Sequence, residues 1–137
     1  ARRFRSLLGA GTYLAAKLER ASAVADARAV GRVADELWLC RGDLGAEMGL
    51  PAMAAAVHEL TLTVASIERP TLMAGQVLEH MSPFAEPTRS EVGHLYDLRA
   101  AGYAGVVLSD ETAIGRRPAA AVRVACSYPP SSTHRLR

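Results

Sequence analysis

Four short apolar runs divide the chain at intervals of roughly thirty residues, the length of one strand–helix–strand unit. They predict strands at 13–18, 37–40, 70–74 and 105–108. Between the runs, apolar residues recur every three or four positions, as on the buried face of a helix. The longest such series is Met53, Val57, Leu60, Val64 and Ile67. Strands that alternate with helices in this way indicate an α/β fold of parallel βα units.

Residues with capping or turn-forming properties mark where the predicted helices start and stop. Ser22 is placed to cap the helix after the first strand, and Pro51 suits the first turn of the long helix after the second. Thr88 and Glu91 form a capping-box pattern, in which each side chain binds the other residue's backbone N–H. Gly102 ends that helix. Two further helices are predicted, at 77–81 and 118–126.

Polar side chains follow each of the four predicted strands. Because parallel strands all run the same way, their carboxyl ends gather at one edge, where α/β proteins hold their working residues. The residues expected to converge there are Lys17, Glu19, Asp43, Gln76 and Ser109. A charged cluster after a buried strand also has a simpler interpretation as a solvated turn, and taken alone the cluster at 17–20 favours it.

The segment 37–47 combines a buried strand, a glycine, a carboxylate and the start of a helix. Gly42 suits a tight turn at the end of the strand. The amides of residues 42–45 can face an anion, because a helix N-terminus has unpaired N–H groups and the positive end of the dipole. Asp43 offers the oxygen ligands that Mg²⁺ prefers. Taken alone, the segment favours the plainer interpretation, in which Asp43 only caps a helix.

Composition narrows the class of protein. Half of the residues are apolar, 22% are charged and the formal net charge is +2, as in an ordinary globular domain. Only 5% are aromatic, so nucleic-acid binding is not expected. Cys40 and Cys126 match no metal spacing and no disulfide framework, and Cys40 is predicted to be a buried thiol. With no span-length apolar run and no signal peptide, we expect a cytoplasmic protein that does not bind membranes.

The length of 137 residues bounds the architecture. A complete (β/α)8 barrel needs roughly 250 residues, so four βα units amount to about half of one. From the residues alone, a small open sheet is an equal alternative. We assign residues 1–126 to a partial barrel domain and expect 127–137, which has little apolar content, to be a disordered tail. Because the chain starts at Ala1 without Met, we also expect residues upstream.

Five motifs, in the family's order, resemble the second half of the catalytic barrel of pyruvate kinase. The resemblance runs from about residue 4 to residue 125. The motifs are Lys17-Leu18-Glu19, then Arg41-Gly42-Asp43-Leu44-Gly45 with Glu47, then Ala74, Gln76, Leu78, Glu79 and Met81, then Pro87-Thr88-Arg89 with Glu91-Val92, and last Leu108-Ser109, Glu111-Thr112-Ala113 and Gly115. One such match would be weak, but five together are specific. The resemblance implies about half of a TIM barrel of the phosphoenolpyruvate/pyruvate type.

The resemblance implies a role for each matched position. Lys17 would be the catalytic lysine, near the phosphoryl group that is transferred. Glu19 and Asp43 would bind the divalent cation, Mg²⁺ or Mn²⁺. The amides of Gly42 and Asp43 would receive the carboxylate of phosphoenolpyruvate. The implied reaction is Mg²⁺-dependent phosphoryl transfer from phosphoenolpyruvate to ADP, which gives pyruvate and ATP in glycolysis.

At several positions the chain departs from the family pattern. Gly75 stands where the family has a threonine, so a hydroxyl is missing on the substrate side. Asp110 replaces a glycine directly after Ser109, another position on the substrate side, and adds negative charge. His94 and Asp97 replace an aspartate and an asparagine. We therefore expect impaired turnover, and expect the substitution Gly75→Thr in an intact parent to raise activity on phosphoenolpyruvate.

The resemblance also implies partners. Phosphoenolpyruvate or pyruvate and ADP or ATP are the expected ligands, and the ligands of a K⁺ ion would lie upstream of this chain. A half barrel leaves two strand edges open, which favours a homo-oligomer. Two alternatives stay open: a non-catalytic binding or regulatory paralogue, and a metal-dependent lyase or aldolase of the same barrel group.

Overall fold

The computed structural model describes residues 2–9 and 11–128, and its centre is a sheet of four parallel strands. The strands are β1 (Ala15–Leu18), β2 (Glu36–Cys40), β3 (Thr71–Ala74) and β4 (Gly105–Val107). The helices are α1 (Arg2–Leu8), α2 (Ala21–Ala25), α3 (Ala27–Gly31), α4 (Arg41–Met48), α5 (Leu50–Thr63), α6 (Arg89–Ala101), α7 (Asp110–Ala113) and α8 (Pro118–Cys126). Two 3₁₀ turns occur at Val64–Ser66 and Glu79–Met81. Most of the predicted tail, from residue 129 onward, lies outside the described residues.

The strands pair in the order β1-β2-β3-β4, so each lies beside the next strand along the chain. A doubly wound open sheet reverses its order at a switch point, whereas a barrel adds every strand on the same side. The observed order is therefore that of consecutive barrel units. It confirms the predicted α/β class, with four parallel βα units that make up about half of a (β/α)8 barrel.

The two faces of the sheet have different surroundings. Leu18, Leu39 and Met73 are in register on neighbouring strands, are fully buried, and share one core cluster with residues of α2, α5 and α6. Side chains alternate along a strand, so Lys17 and Trp38, the paired residues one position earlier, lie on the opposite face. Lys17 is exposed and Trp38 is half-buried. This second face corresponds to the interior of a closed barrel.

The long helix follows its predicted apolar pattern. Pro51 lies in the first turn of α5, as predicted. Leu60, Val64 and Ile67 are buried in the core, although α5 itself ends at Thr63. The apolar series continues through the 3₁₀ turn, so the same face of the chain stays against the sheet after the α-helix has ended. Among the described residues, no helix has both the length and the apolar character that crossing a membrane requires.

The predicted capping box at the start of α6 is confirmed. Thr88 Oγ1 accepts from Glu91 N at 3.1 Å, and Glu91 Oε2 accepts from Thr88 N at 2.8 Å. Glu91 Oε1 also accepts from His80 N at 2.9 Å, which ties the preceding 3₁₀ turn to α6. Burial alone would raise the pKa of Glu91, but these hydrogen bonds outweigh it and lower the pKa. Gly102, in the left-handed region, ends the helix as predicted.

Two predicted helix starts are wrong. Ser22 lies inside α2, whose first residue is Ala21, because Glu47 Oε2 of α4 accepts from Ala21 N at 2.9 Å and supplies the cap from a distant part of the chain. Gly42 makes no tight turn, because α4 begins at Arg41 directly after β2. Tertiary contacts and the direct strand-to-helix junction therefore replace the local signals that the sequence suggested.

The helix predicted at 77–81 is also wrong in its first half. Leu78 has a left-handed backbone, which cannot continue a right-handed helix, and only Glu79–Met81 forms a 3₁₀ turn. Val77, Leu78 and Met81 are nevertheless buried. The apolar pattern therefore predicted the burial of these side chains correctly, although the predicted backbone conformation was wrong.

Candidate functional site

Lys17 and Glu19 form an ion pair at the carboxyl end of β1. Lys17 Nζ contacts Glu19 Oε1, and their side chains are 54% and 32% exposed. The hydrogen bond to Glu19 raises the pKa of Lys17, with a further contribution from the negative charge of Asp43. The lysine therefore stays a cation, which is the form that can neutralise an anionic group.

Glu19 and Asp43 lie around one cavity. Asp43 is exposed in the first turn of α4, and it lines a cavity of about 350 Å³ together with Glu19, Arg20 and Glu47. Glu47 binds the N–H of Ala21 and lies 3.9 Å from the Arg20 guanidinium, so it holds the loop that carries Glu19. The ends of β1 and β2 thus bring together the two carboxylates that the sequence predicted to share a cation.

The donor set around this cavity suits a cation that keeps much of its water. Three-member clusters of His, Cys, Asp and Glu with metal-site geometry do not occur within residues 2–9 and 11–128. Mg²⁺ does not need such a cluster, because it is usually held by one or two carboxylates, several waters and the oxygens of a substrate. Glu19 and Asp43 are two carboxylates at an open cavity, so the residues present fit Mg²⁺ or Mn²⁺ bound in this way.

Gly42 presents open space at the start of α4. A Cβ added there would meet no atom within 4 Å, apart from the helix's own backbone. The space beside Gly42 is therefore open, so an anion could approach the unpaired amides of the first turn from this side. Asp43 is the acidic residue of this turn.

The turn after β3 has an unusual backbone. Gly75, Gln76 and Leu78 have φ of +85°, 53° and 56°, and the latter two are non-glycine residues in the left-handed region. A Cβ at Gly75 would lie 3.4 Å from the backbone nitrogens of Arg41 and Gly42. Gly75 is therefore packed against the start of α4, and a threonine there would be strained by the backbone whatever space were available.

Arg41 binds this turn. Its Nε donates to Gly75 O at 3.0 Å, and its Nη2 donates to Gly75 O and, at 3.3 Å, to Gln76 O. Its Nη1 lies 3.2 Å from Nε2 of His94. Burial lowers the pKa of Arg41, and burial together with the Arg41 charge lowers the pKa of His94. One guanidinium thus joins the end of β2, the turn after β3 and α6.

Ser109 lies at the N-terminus of α7, two residues after the last residue of β4. Its side-chain oxygen is buried and makes no hydrogen bond of ordinary geometry within the described part of the chain, and the same holds for Ser82 and Thr112 nearby. Asp110 is exposed in the first turn of α7. The end of β4 therefore carries a buried hydroxyl and an added carboxylate.

Comparison with known proteins identifies the family. The family model described as pyruvate kinase, barrel domain, matches residues 2–122. The chain belongs to the pyruvate kinase family. It is 35% identical over 124 residues to a pyruvate kinase of Agrobacterium vitis, which covers 88% of this chain and 25% of that protein. It is 34% identical over 125 residues to pyruvate kinase II of Salmonella typhimurium, with 89% and 26% covered.

Solved pyruvate kinases share the fold of this family member. The pyruvate kinase from Pyrobaculum aerophilum matches with a TM-score of 0.77 and 29% identity, over 93% of this chain and 28% of that chain. The pyruvate kinase from Cryptosporidium parvum matches with a TM-score of 0.76 and 26% identity, over 92% and 26%. The chain thus spans about a quarter of the length of the relatives it matches.

Sequence reasoning on this pyruvate kinase-family chain assigned no role to three residues of the site. Arg41 and Glu47 stood in the recognised motif, yet their structural roles depend on partners 34 and 26 positions away. His94 was noted only as a departure from the family pattern. Their partners are backbone groups and a helical side chain distant in sequence, so a local pattern could not reveal them.

Proposed function

We propose that this chain is part of a Mg²⁺-dependent phosphotransferase that takes phosphoenolpyruvate and ADP to pyruvate and ATP, with transfer impaired relative to the family. The observation that carries the proposal is the grouping of Lys17 with the Glu19–Asp43 cavity at the carboxyl ends of β1 and β2. Phosphoryl transfer depends on positioning and on neutralising charge, and a lysine beside two cation-binding carboxylates serves both needs.

Each residue has a defined task in this proposal. Glu19 and Asp43 hold the divalent cation, and Lys17 stays protonated and neutralises the phosphoryl oxygens. The amides of Gly42 and Asp43, at the start of α4, receive the substrate carboxylate. When bound, the cation supplies positive charge to the oxygens that become negative during transfer.

The β3 and β4 ends support the view that transfer is impaired. Gly75 has no hydroxyl to donate to the substrate carboxylate, and its left-handed backbone is a poor place for one. Asp110 adds a negative charge beside Ser109, on the side that would face an anionic substrate. The same two positions favour a second candidate function, in which the protein is a paralogue that binds the cation and the anion without turnover.

Further proposals follow from the same resemblance. We place the intact protein in the cytoplasm, with any K⁺ ligands on segments outside this chain. β1 and β4 each have a free edge within the described residues, and free edges favour association. Sedimentation of the purified chain tests the association, because a clean monomer would contradict it.

Titration with Mn²⁺ tests the cation site directly. We expect Asp43→Asn and Glu19→Gln each to weaken Mn²⁺ binding at least about tenfold, the size of effect that even indirect changes around a metal produce. Asp26→Asn is the matched control, because Asp26 lies at the junction of α2 and α3, away from the cavity. Equal binding by all four proteins would overturn the proposed site.

A turnover assay separates the two candidates. Phosphoenolpyruvate, ADP and Mg²⁺ are incubated with the intact parent protein, and pyruvate is measured, because the isolated chain, about a quarter of the length of its relatives, is expected to have no meaningful turnover. Slow pyruvate formation that Asp43→Asn abolishes supports the impaired kinase, whereas phosphoenolpyruvate binding without any pyruvate supports the non-catalytic paralogue. Retro-aldol cleavage of a β-hydroxy carbonyl substrate, in place of phosphoryl transfer, would instead favour the lyase or aldolase.

A further inference from the structure

Arg41 connects three separate parts of the fold through one side chain. Two of its nitrogens, Nε and Nη2, donate to the backbone carbonyls of Gly75 and Gln76 after β3. The third, Nη1, lies 3.2 Å from Nε2 of His94 on α6. The guanidinium therefore forms a clamp, by which we mean its hydrogen bonds to Gly75 O and Gln76 O, and His94 contacts the free side of that clamp.

The turn that the clamp holds is not one that the chain adopts without support. Gly75, Gln76 and Leu78 all have positive φ, and left-handed backbone at non-glycine residues costs free energy. The carbonyls of Gly75 and Gln76 both point at the guanidinium, so the clamp stabilises this particular turn conformation. Loss of the clamp would release the turn.

The chemistry of the Arg41–His94 contact constrains the state of the histidine. A guanidinium only donates hydrogen bonds, so Nε2 of His94 must accept and must carry no proton. A protonated imidazole would place two positive groups 3.2 Å apart. The charges acting on His94 come from Arg41 on α4 and from Asp97 on its own helix, and they oppose each other.

We propose that His94 is a positioning residue that, in its neutral form, holds Arg41 in the clamp on Gly75 and Gln76, and that protonation of His94 loosens this clamp. The consequence for substrate rests on the proposed function, because Gly75 lies on the proposed substrate side. The clamp itself needs no ligand. The turn after β3 would then lose its fixed conformation as the pH falls and His94 becomes protonated.

The sign of the effect follows from the direction of the pKa shift. Burial, with the Arg41 charge, lowers the pKa of His94 below its ordinary value of 6.5. The unfolded chain therefore takes up a proton at a higher pH than the folded chain does. The free energy of unfolding is therefore highest above pH 6.5 and declines as the pH falls from there toward the lower pKa of the folded state, whereas the clamp is lost as the pH falls through that lower pKa.

A pH titration of the ¹⁵N-labelled chain by NMR tests the proposal without substrate or metal. In the wild-type chain, the amide resonances of Gly75 and Gln76 should shift with the same midpoint as the His94 imidazole, and that midpoint should lie below the ordinary histidine value of 6.5. In His94→Gln, whose amide oxygen is a neutral acceptor at every pH, this shift should be lost. His58→Gln is the control and should leave it intact.

Two results would overturn the proposal: amides that ignore the His94 midpoint in the wild-type chain, or amides that follow the same profile in His94→Gln. If His94→Gln fails to fold, the coincidence of midpoints in the wild-type chain decides alone. A parallel titration with phosphoenolpyruvate and Mn²⁺ keeps the two proposals apart. Absence of binding at every pH overturns the proposed function, while the amide resonances still decide the clamp.

Discussion

The ends of β1 and β2 and the ends of β3 and β4 are the two halves of the proposed site, and they are built differently. The first half carries Lys17, Glu19 and Asp43, whose positions follow from regular strand-to-helix junctions. The second half contains a turn with three residues at positive φ, one of them Gly75, and the buried hydroxyl of Ser109. The charge needed for anion and cation binding lies in the first half, whereas the second half supplies shape.

This difference shows how each half depends on the rest of the molecule. In the first half, Glu47 holds the loop beside Glu19 through a single backbone N–H, and Lys17 pairs with a residue two positions away. In the second half, Arg41 supplies hydrogen bonds from another βα unit. The charged half thus combines a local ion pair with one contact between residues 26 positions apart, whereas the turn in the other half depends on hydrogen bonds from another βα unit.

The largest contrast between the halves is expected in phosphoenolpyruvate binding with Mn²⁺. Lys17→Ala removes a cation that would bind a charged group, an interaction of roughly 1.5–3 kcal/mol, so affinity should fall about tenfold to a hundredfold. Ser109→Ala removes a neutral hydroxyl and should cost only about 0.5–1.5 kcal/mol. Calorimetry on both variants measures the contrast, and an equal loss in the two would remove the distinction between the halves.

The second prediction concerns the backbone of the shape-giving half. Gly75→Thr places a β-branched residue at φ +85°, which should lower the free energy of unfolding by about 1–3 kcal/mol. This loss of stability therefore opposes the gain in activity on phosphoenolpyruvate that the restored hydroxyl is expected to give, unless the turn changes conformation. Urea unfolding measures the change.

Gly93→Ala is the control for that substitution. Gly93 lies within α6, where a Cβ meets no atom outside the helix's own backbone, so alanine should stabilise the chain by about 0.5–1 kcal/mol. A Gly75→Thr chain as stable as wild type would show that the left-handed turn is not a constraint, and the activity expected from the hydroxyl would then be recovered.

The third prediction tests how the charged half is held. Glu47→Ala removes the acceptor of Ala21 N, and loss of a helix cap costs about 1 kcal/mol. Glu47→Gln keeps an acceptor oxygen and loses only an exposed contact with Arg20, so its stability should stay close to that of wild type. Urea unfolding compares the two, and equal destabilisation would mean that charge, not capping, is what Glu47 provides.

The smallest expected effect is a pH dependence of the free energy of unfolding that comes from Glu91, at the start of α6. The pKa of Glu91 is lowered in the folded chain, so its carboxylate stabilises the fold above the ordinary value of 4.5, and this contribution is lost as pH falls through the folded value. Glu91→Gln should be less stable at neutral pH, with a difference that narrows below about pH 4.5. Glu86→Gln, at an exposed position in the preceding loop, is the matched control for the change of side chain.

Much of the fold follows from the sequence by itself. The alternation of apolar runs and helical faces predicted four parallel βα units, and the predicted strands overlap all four observed ones. The capping box at Thr88 and Glu91 and the stop at Gly102 were local signals that hold in the structure, because each is satisfied within a few residues. The residues of the charged half were found in the same way, since Lys17 lies at the end of β1, Glu19 directly follows β1 and Asp43 lies in the first turn after β2.

Only the tertiary structure decided the remainder, and the reason is physical in each case. α2 starts at Ala21 and not after Ser22, because a carboxylate 26 positions away supplies the cap. Val77 and Leu78 are buried as their pattern suggests, yet Leu78 is left-handed, because the turn is bound by a guanidinium from another strand end. Sequence periodicity reports which side chains are buried, whereas the backbone of a clamped turn depends on groups that only folding brings within hydrogen-bond distance.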